Sequence, residues 1–97
     1  MDAHTANDLR VLGDVHRLAL LEAFEDHPSS VRNAGIRAST HPINPAYHVD
    51  VLARAGFVAF QEETRINNSR ARIFAITHKG QRGLELARSW QKQSAGA

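Results

Sequence analysis

A chain of 97 residues with no internal repeat has room for one small domain, near the size at which a single core becomes self-sufficient. It contains no cysteine, which excludes a disulfide framework and a thiolate zinc site, and its strongly apolar stretches reach only about six residues, too short for a membrane-spanning helix. The charge of +2 is uneven: residues 1–64 hold five arginines against nine acids, whereas residues 65–97 hold Arg65, Arg70, Arg72, Lys79, Arg82, Arg88 and Lys92 against Glu85 alone, so a polyanion would feel the C-terminal third most strongly.

The start, "MDAHTANDLR", has neither the basic opening nor the apolar run of a signal peptide, so the expectation is a soluble cytoplasmic protein. Leu9 and Leu12 lie three apart, Gly13-Asp14 interrupts, and "HRLALLEAF" places Leu18, Leu20, Leu21 and Phe24 on a broad apolar helical face. This is one helix with a break or two short ones. Pro28 prevents continuation, and Ser29 or Ser30 can cap the next helix. That helix, about 31–38, presents Val31, Ala34, Gly35, Ile36 and Ala38 as a small face that permits close approach, with Arg32 and Arg37 on the remainder.

"HPINP" is a stiff entrance to a further helix. Asn44 is a favoured N-cap and Pro45 suits the first helical position, while Pro42 should hold His41 extended. In helix 45–54, Val49 and Leu52 face inward with Pro45 one turn behind, and Ala46, Tyr47, Asp50 and Arg54 face outward. Gly56 is placed to end it.

"GFVAFQEET" and "ARIFAIT" alternate like strands, with "RINNSR" between them as the turn. Thr77 can cap a last helix in which Leu84, Ala87 and Gln91 form one row and Leu86 and Trp90 another.

Several of these strings match a known pattern. "LRVLGDVHRLALLEAF" resembles the opening of arsenical-repressor-like (ArsR-type) bacterial regulators, "YHVDVLARAGFV" resembles their recognition helix and its exit into the wing, and "ITHKGQRGLELA" is similar to the passage into the last helix of related winged-helix repressors. The resemblance covers about residues 7–90. It implies an α+β fold, mainly α with a small β hairpin: one winged helix-turn-helix domain over 1–97, with four to five helices and a two-stranded wing. The helix-turn-helix would span about 30–55, the wing about 57–77 and the C-terminal helix about 78–92.

The resemblance further implies a transcriptional regulator, a repressor before an activator, that binds double-stranded DNA through helix 45–54 in the major groove. Asn44, Tyr47 and Asp50 would read bases. Arg32, Arg37, Arg54, Arg65, Asn67, Asn68, Arg70 and Arg72 would contact the backbone, since arginines on a hairpin reach phosphates while short polar groups on a helix read base edges. Asp50 stands where relatives carry a basic residue, and a carboxylate there must accept from a cytosine amino group or pair with an arginine.

A domain this small gains from a partner, so Leu86 and Trp90, with Leu9 and Leu12 as companions, are expected at a twofold homodimer interface. A small-molecule or protein effector stays open. No cofactor or metal is expected: the second helix lacks the cysteine pair and the last helix the histidine-acid set of metal-sensing relatives, and His48 and Asp50 are two apart on a helix, poor geometry for one ion. His48 is expected to pack near the core. "EDH" at 25–27 reads as solvated surface, and no nucleophile with an oriented base is evident, so an enzyme is not expected. The alternative is a winged-helix protein-interaction module using exposed Tyr47 and Asp50.

Overall fold

Five helices and a three-stranded antiparallel sheet form residues 3–95, the part of the chain that the structure, a computed structural model, describes. The order is α1 (Ala3–Leu12), α2 (Val15–Glu25), β1 (Ser29–Ser30), α3 (Val31–Arg37), α4 (Pro45–Arg54), β2 (Val58–Ile66), β3 (Ser69–Ile76) and α5 (His78–Ala95). The architecture is α+β, and among the described residues no helix is long and apolar enough to cross a membrane.

Gly13-Asp14 does separate two helices. Asp14 caps α2 by accepting from the backbone N–H groups of His16 at 2.8 Å and Arg17 at 3.2 Å, so the break is a capped start rather than a kink. Ser30 caps α3 in the same way through the N–H of Asn33. Ser29 and Ser30 also form a two-residue strand, paired with Phe74 and Ile73, which makes the sheet order β1-β3-β2 instead of the expected two-stranded hairpin. Two serines carry no apolar alternation, so this pairing exists only because α2 delivers the chain to the edge of β3.

α4 begins and ends where its caps require. Asn44 accepts from the N–H of Tyr47, Pro45 occupies the first turn, and Gly56 follows the last turn with φ +86°. Val49 and Leu52 are fully buried. His41, expected to be extended, instead has φ +47°, because its N–H closes a turn onto the carbonyl of Ala38 at 3.1 Å. Proline disfavours the right-handed helical region for the residue before it, and histidine reaches the left-handed region more readily than most side chains. The small face of α3 meets α4 at Gly35, but Ile36, expected on that face, is exposed because it sits on the side of this short helix turned away from the core. A Cβ on Gly35 would lie 3.0 Å from the Pro45 ring.

The hairpin is longer and tighter than its apolar runs indicate. The strands continue to Ile66 and Ser69, leaving Asn67 and Asn68 as a two-residue turn with φ +53° and +67°. Both values fit the turn whose twist matches that of paired strands, and asparagine tolerates them. A bulge at Gln61 shifts the register between Phe60 and Glu62.

Thr77 caps α5 by accepting from the N–H of Gly80 at 3.0 Å, and α5 extends to Ala95, beyond the expected end near 92. Leu84 and Ala87 of its inner row are buried; the side chain of Gln91, placed in the same row, lies outside the described residues. The core combines Leu20, Leu21 and Phe24 of α2 with Leu52, Phe57, Phe74 and Leu84.

Gly80 sits against the backbone of Phe57, where a Cβ would overlap the Phe57 carbonyl oxygen. Gly80→Ala should therefore lower stability by about 3 kcal/mol or more in urea unfolding, while Gln81→Ala on the exposed face should change it by less than about 0.5 kcal/mol.

Candidate nucleic-acid interface

β1 covers β3 only at Ile73 and Phe74, so the outer half of β3 runs past α3 with an open edge. An open groove of about 890 Å³ lies there, bounded by α3, the turn at His41 and Pro42, the start of α4 and the tip of the hairpin. Arg32, Arg70, Arg72 and His41 line it, with Asn33, Asn44 and Asn67. No acidic residue among those described does. Five of the residues selected from the sequence are thus brought together: Asn44, Arg32, Asn67, Arg70 and Arg72. Asn33 and His41 join them without having been singled out. His41 carried a faint signal in its place before Pro42, and Asn33 carried none.

The other selected residues lie elsewhere. Tyr47 is exposed on α4 beyond the groove, and Arg65 and Asn68 are exposed on the hairpin without lining it. Arg37 is turned away: its guanidinium bonds to His27 Nε2 at 2.8 Å and donates to the Ala23 carbonyl, tying α3 to the end of α2. Asp50 pairs with Arg54 across one helical turn at 3.1 Å, so its carboxylate is partly neutralised by its own helix. Both side chains are well exposed, which limits that pair to about 0.3–0.5 kcal/mol.

Asn44 is committed through its Oδ1 to the helix cap, while its amide nitrogen keeps two donors for an acceptor outside the chain. Arg32, Arg65 and Arg70 take part in no salt bridge among the described residues, and the Arg72 guanidinium stands 5.4 Å from the centre of the Phe74 ring. Arg65 and Arg70 are directly opposite one another in the sheet, and like charges so placed oppose hairpin formation.

The basic C-terminal third is less basic in three dimensions than its composition suggests. Arg88 binds Glu25 through two hydrogen bonds of 2.7 and 2.9 Å, and Lys79 bonds to Asp8 at 3.1 Å and to the Ala55 carbonyl at 2.6 Å. Arg88 thereby holds the Glu25 carboxyl below its ordinary range. The "EDH" segment is thus a tether for α5 through Glu25, not only solvated surface.

Of the apolar residues assigned to an interface, Leu12 is buried in the chain's own core and has little surface left to offer, and Leu9 is half-buried. Leu86 and Trp90 remain exposed, one turn apart on α5, at 45% and 43% of their full accessibility.

α4 is fixed to α2 through a polar cluster. Arg17 donates to the Val11 carbonyl at 2.7 Å, closing the end of α1, and its guanidinium lies 3.4 Å from His48 Nδ1. The His16 ring is 5.6 Å from that of His48 and bonds through Nδ1 to Thr40 at 2.9 Å. Burial pushes the His48 pKa down; Asp14 opposes this, and the positive charge of Arg17 and His16 adds to it. Burial alone would raise the Asp14 pKa, but the N–H groups of Arg17 and His16 and the nearby positive charges bring it below the usual carboxylate value.

No protein-family model matches the sequence, and a search of curated proteins gives no match. The role of the groove is therefore read from its geometry and charge.

The lowered pKa of His48 means that the unfolded chain takes up its proton more readily than the folded one. The contribution is complete above about pH 6.5 and is lost as the pH falls through the lowered native value. The Asp14 and Glu25 carboxyls are likewise lowered, so their contributions are lost in a separate, more acidic window that opens below about pH 4.5. Between pH 7 and 5.5, His48→Gln should lose less stability than the parent in urea titrations; equal losses would remove His48 as the cause.

Proposed function

We propose that the chain is a winged helix-turn-helix regulator that binds double-stranded DNA, with α3 and α4 as the helix-turn-helix and the β2–β3 hairpin as the wing. One observation carries this reading: the groove between α4 and the hairpin gathers three arginines, a histidine and three asparagines, with no acid among the described residues that line it. Duplex DNA asks for this combination. Its phosphates need cations that are not already paired, and its base edges need donors and acceptors on a rigid element. The opposed pair Arg65 and Arg70 supports the same reading, since a phosphate between them would convert a local repulsion into two attractions.

The work is divided among these residues. Arg32, Arg65, Arg70 and Arg72 hold phosphates, and Asn44 and Tyr47 at the head of α4 face the bases. Asp50, paired with Arg54, limits how deeply the later turns of α4 approach. Leu86 and Trp90 serve a second copy of the chain, which would place two α4 helices for successive half-sites as expected of a twofold regulator.

Replacing Arg32, Arg70 and Arg72 together with alanine should weaken binding to every duplex alike. It should also flatten the plot of log affinity against log salt by about 0.9 for each phosphate that is no longer neutralised. A protein-docking module would instead show no duplex affinity at moderate salt. For assembly, Trp90→Ala should move a dimer toward monomer in sedimentation and lower thermal stability in a concentration-dependent way. A parent chain that stays monomeric at high micromolar concentration overturns the dimer.

A further inference from the structure

Histidine is the side chain whose ordinary charge change falls between about pH 5 and 8, so its placement in a fold decides what its proton can do. Three of the histidines are engaged with their own chain. His16 bonds to Thr40, His27 meets the Pro28 carbonyl and the Arg37 guanidinium, and His48 faces Arg17. His41 differs. It is exposed and lines the groove, and its ring has no hydrogen-bond or ion-pair partner among the described residues.

The position of His41 is nevertheless fixed. Its N–H closes the turn onto the Ala38 carbonyl, and the Pro42 that follows it is buried. Glycine or asparagine would meet its φ of +47° with less strain, as Asn67 and Asn68 do at the hairpin tip, so the turn by itself does not ask for an imidazole. The charged groups that line the groove with it are all cations: Arg32 of α3, and Arg70 and Arg72 of β3. The first turn of α4 adds neutral Asn44, and Glu63, opposite Arg72 in the sheet, does not line the groove. The lining thus offers an imidazolium no carboxylate. A phosphate entering the groove would be its counter-charge, and an opposite charge within about 4–6 Å favours the charged form.

We infer that His41 takes up a proton as the duplex enters the groove and becomes a fourth cation on its phosphates. This rests on the duplex-binding reading above and deepens it, because it makes affinity depend on pH where the arginines cannot. Arginine stays charged throughout this range, so the dependence belongs to the imidazole. By linkage, a group that binds its proton more tightly in the complex makes the complex tighter as the pH falls.

The experiment begins with a preferred duplex selected from random DNA by the parent chain. Its dissociation constant is measured at one salt concentration from about pH 8 to about pH 6 for the parent, His41→Asn and His41→Gly. Over this range the parent's affinity should rise about five- to tenfold, the effect of one imidazolium gaining one phosphate. Both variants should stay nearly level, with unfolding temperatures close to the parent's because asparagine and glycine accept the left-handed φ. Both keep His48, whose lowered pKa places its own titration toward the acid end, so a rise due to that residue would persist in them. A parent affinity that is level with pH, or a rise that both variants retain, overturns the inference; affinity that still falls with salt and with removal of the groove arginines would leave the broader reading standing. Absence of duplex affinity in the parent at low salt, at either end of the pH range, overturns both.

Discussion

Phe57 is the joint on which the arrangement turns. Its N–H donates to the Leu52 carbonyl at the end of α4, and its carbonyl accepts the N–H of Thr77, where the hairpin passes into α5. Its ring lies against Gly83 and beneath the Lys79 ammonium, 4.9 Å from the ring centre. Three elements therefore leave one residue in defined directions, and Gly80 must lack a side chain for α5 to come this close. A displacement here would move the proposed reading helix, the proposed wing and the apolar row of α5 together, because interiors packed at crystal density transmit strain instead of absorbing it.

The second constraint is electrostatic. Lys79 and Arg88 are paired within the fold, whereas the arginines lining the groove and at the hairpin tip take part in no salt bridge among the described residues. Lys79 closes the end of α4 and meets Asp8, and Arg88 holds Glu25 of α2. Each joins elements far apart in sequence, so their charge serves cohesion. Arg32, Arg65 and Arg70 meet no carboxylate among the described residues, and Arg72 lies by the Phe74 ring. A mean field from composition treats all of these alike; a ligand would not, since a cation already bound to carboxylate has little left for a phosphate.

The half-buried Arg17–His48–His16 cluster is a polar seam between α2 and α4 at the margin of the apolar core. Its members are satisfied by one another, by the Thr40 hydroxyl and by backbone carbonyls, and no buried side-chain donor or acceptor among the described residues lacks a partner. Such a seam fixes one relative placement of two helices, because sliding either would leave several polar groups without partners at once.

The features legible in the residues alone are those that obey local rules. Asn44-Pro45 and Gly56 bound α4 because capping and proline geometry act within one turn. Asparagines mark the hairpin turn because few side chains tolerate positive φ, and Gly35 announces a close approach that Pro45 fills. The candidate groove is legible as a set of arginines and asparagines but not as a place. Whether an arginine is spent internally, like Arg37 and Arg88, or left free of salt bridges, like Arg32 and Arg70, depends on which distant carbonyl or carboxylate the fold brings within 3 Å. The strand at Ser29–Ser30 and the exposure of Ile43 are likewise products of tertiary structure. In both cases the deciding partner, or its absence, lies outside the turn or strand to which local propensity speaks.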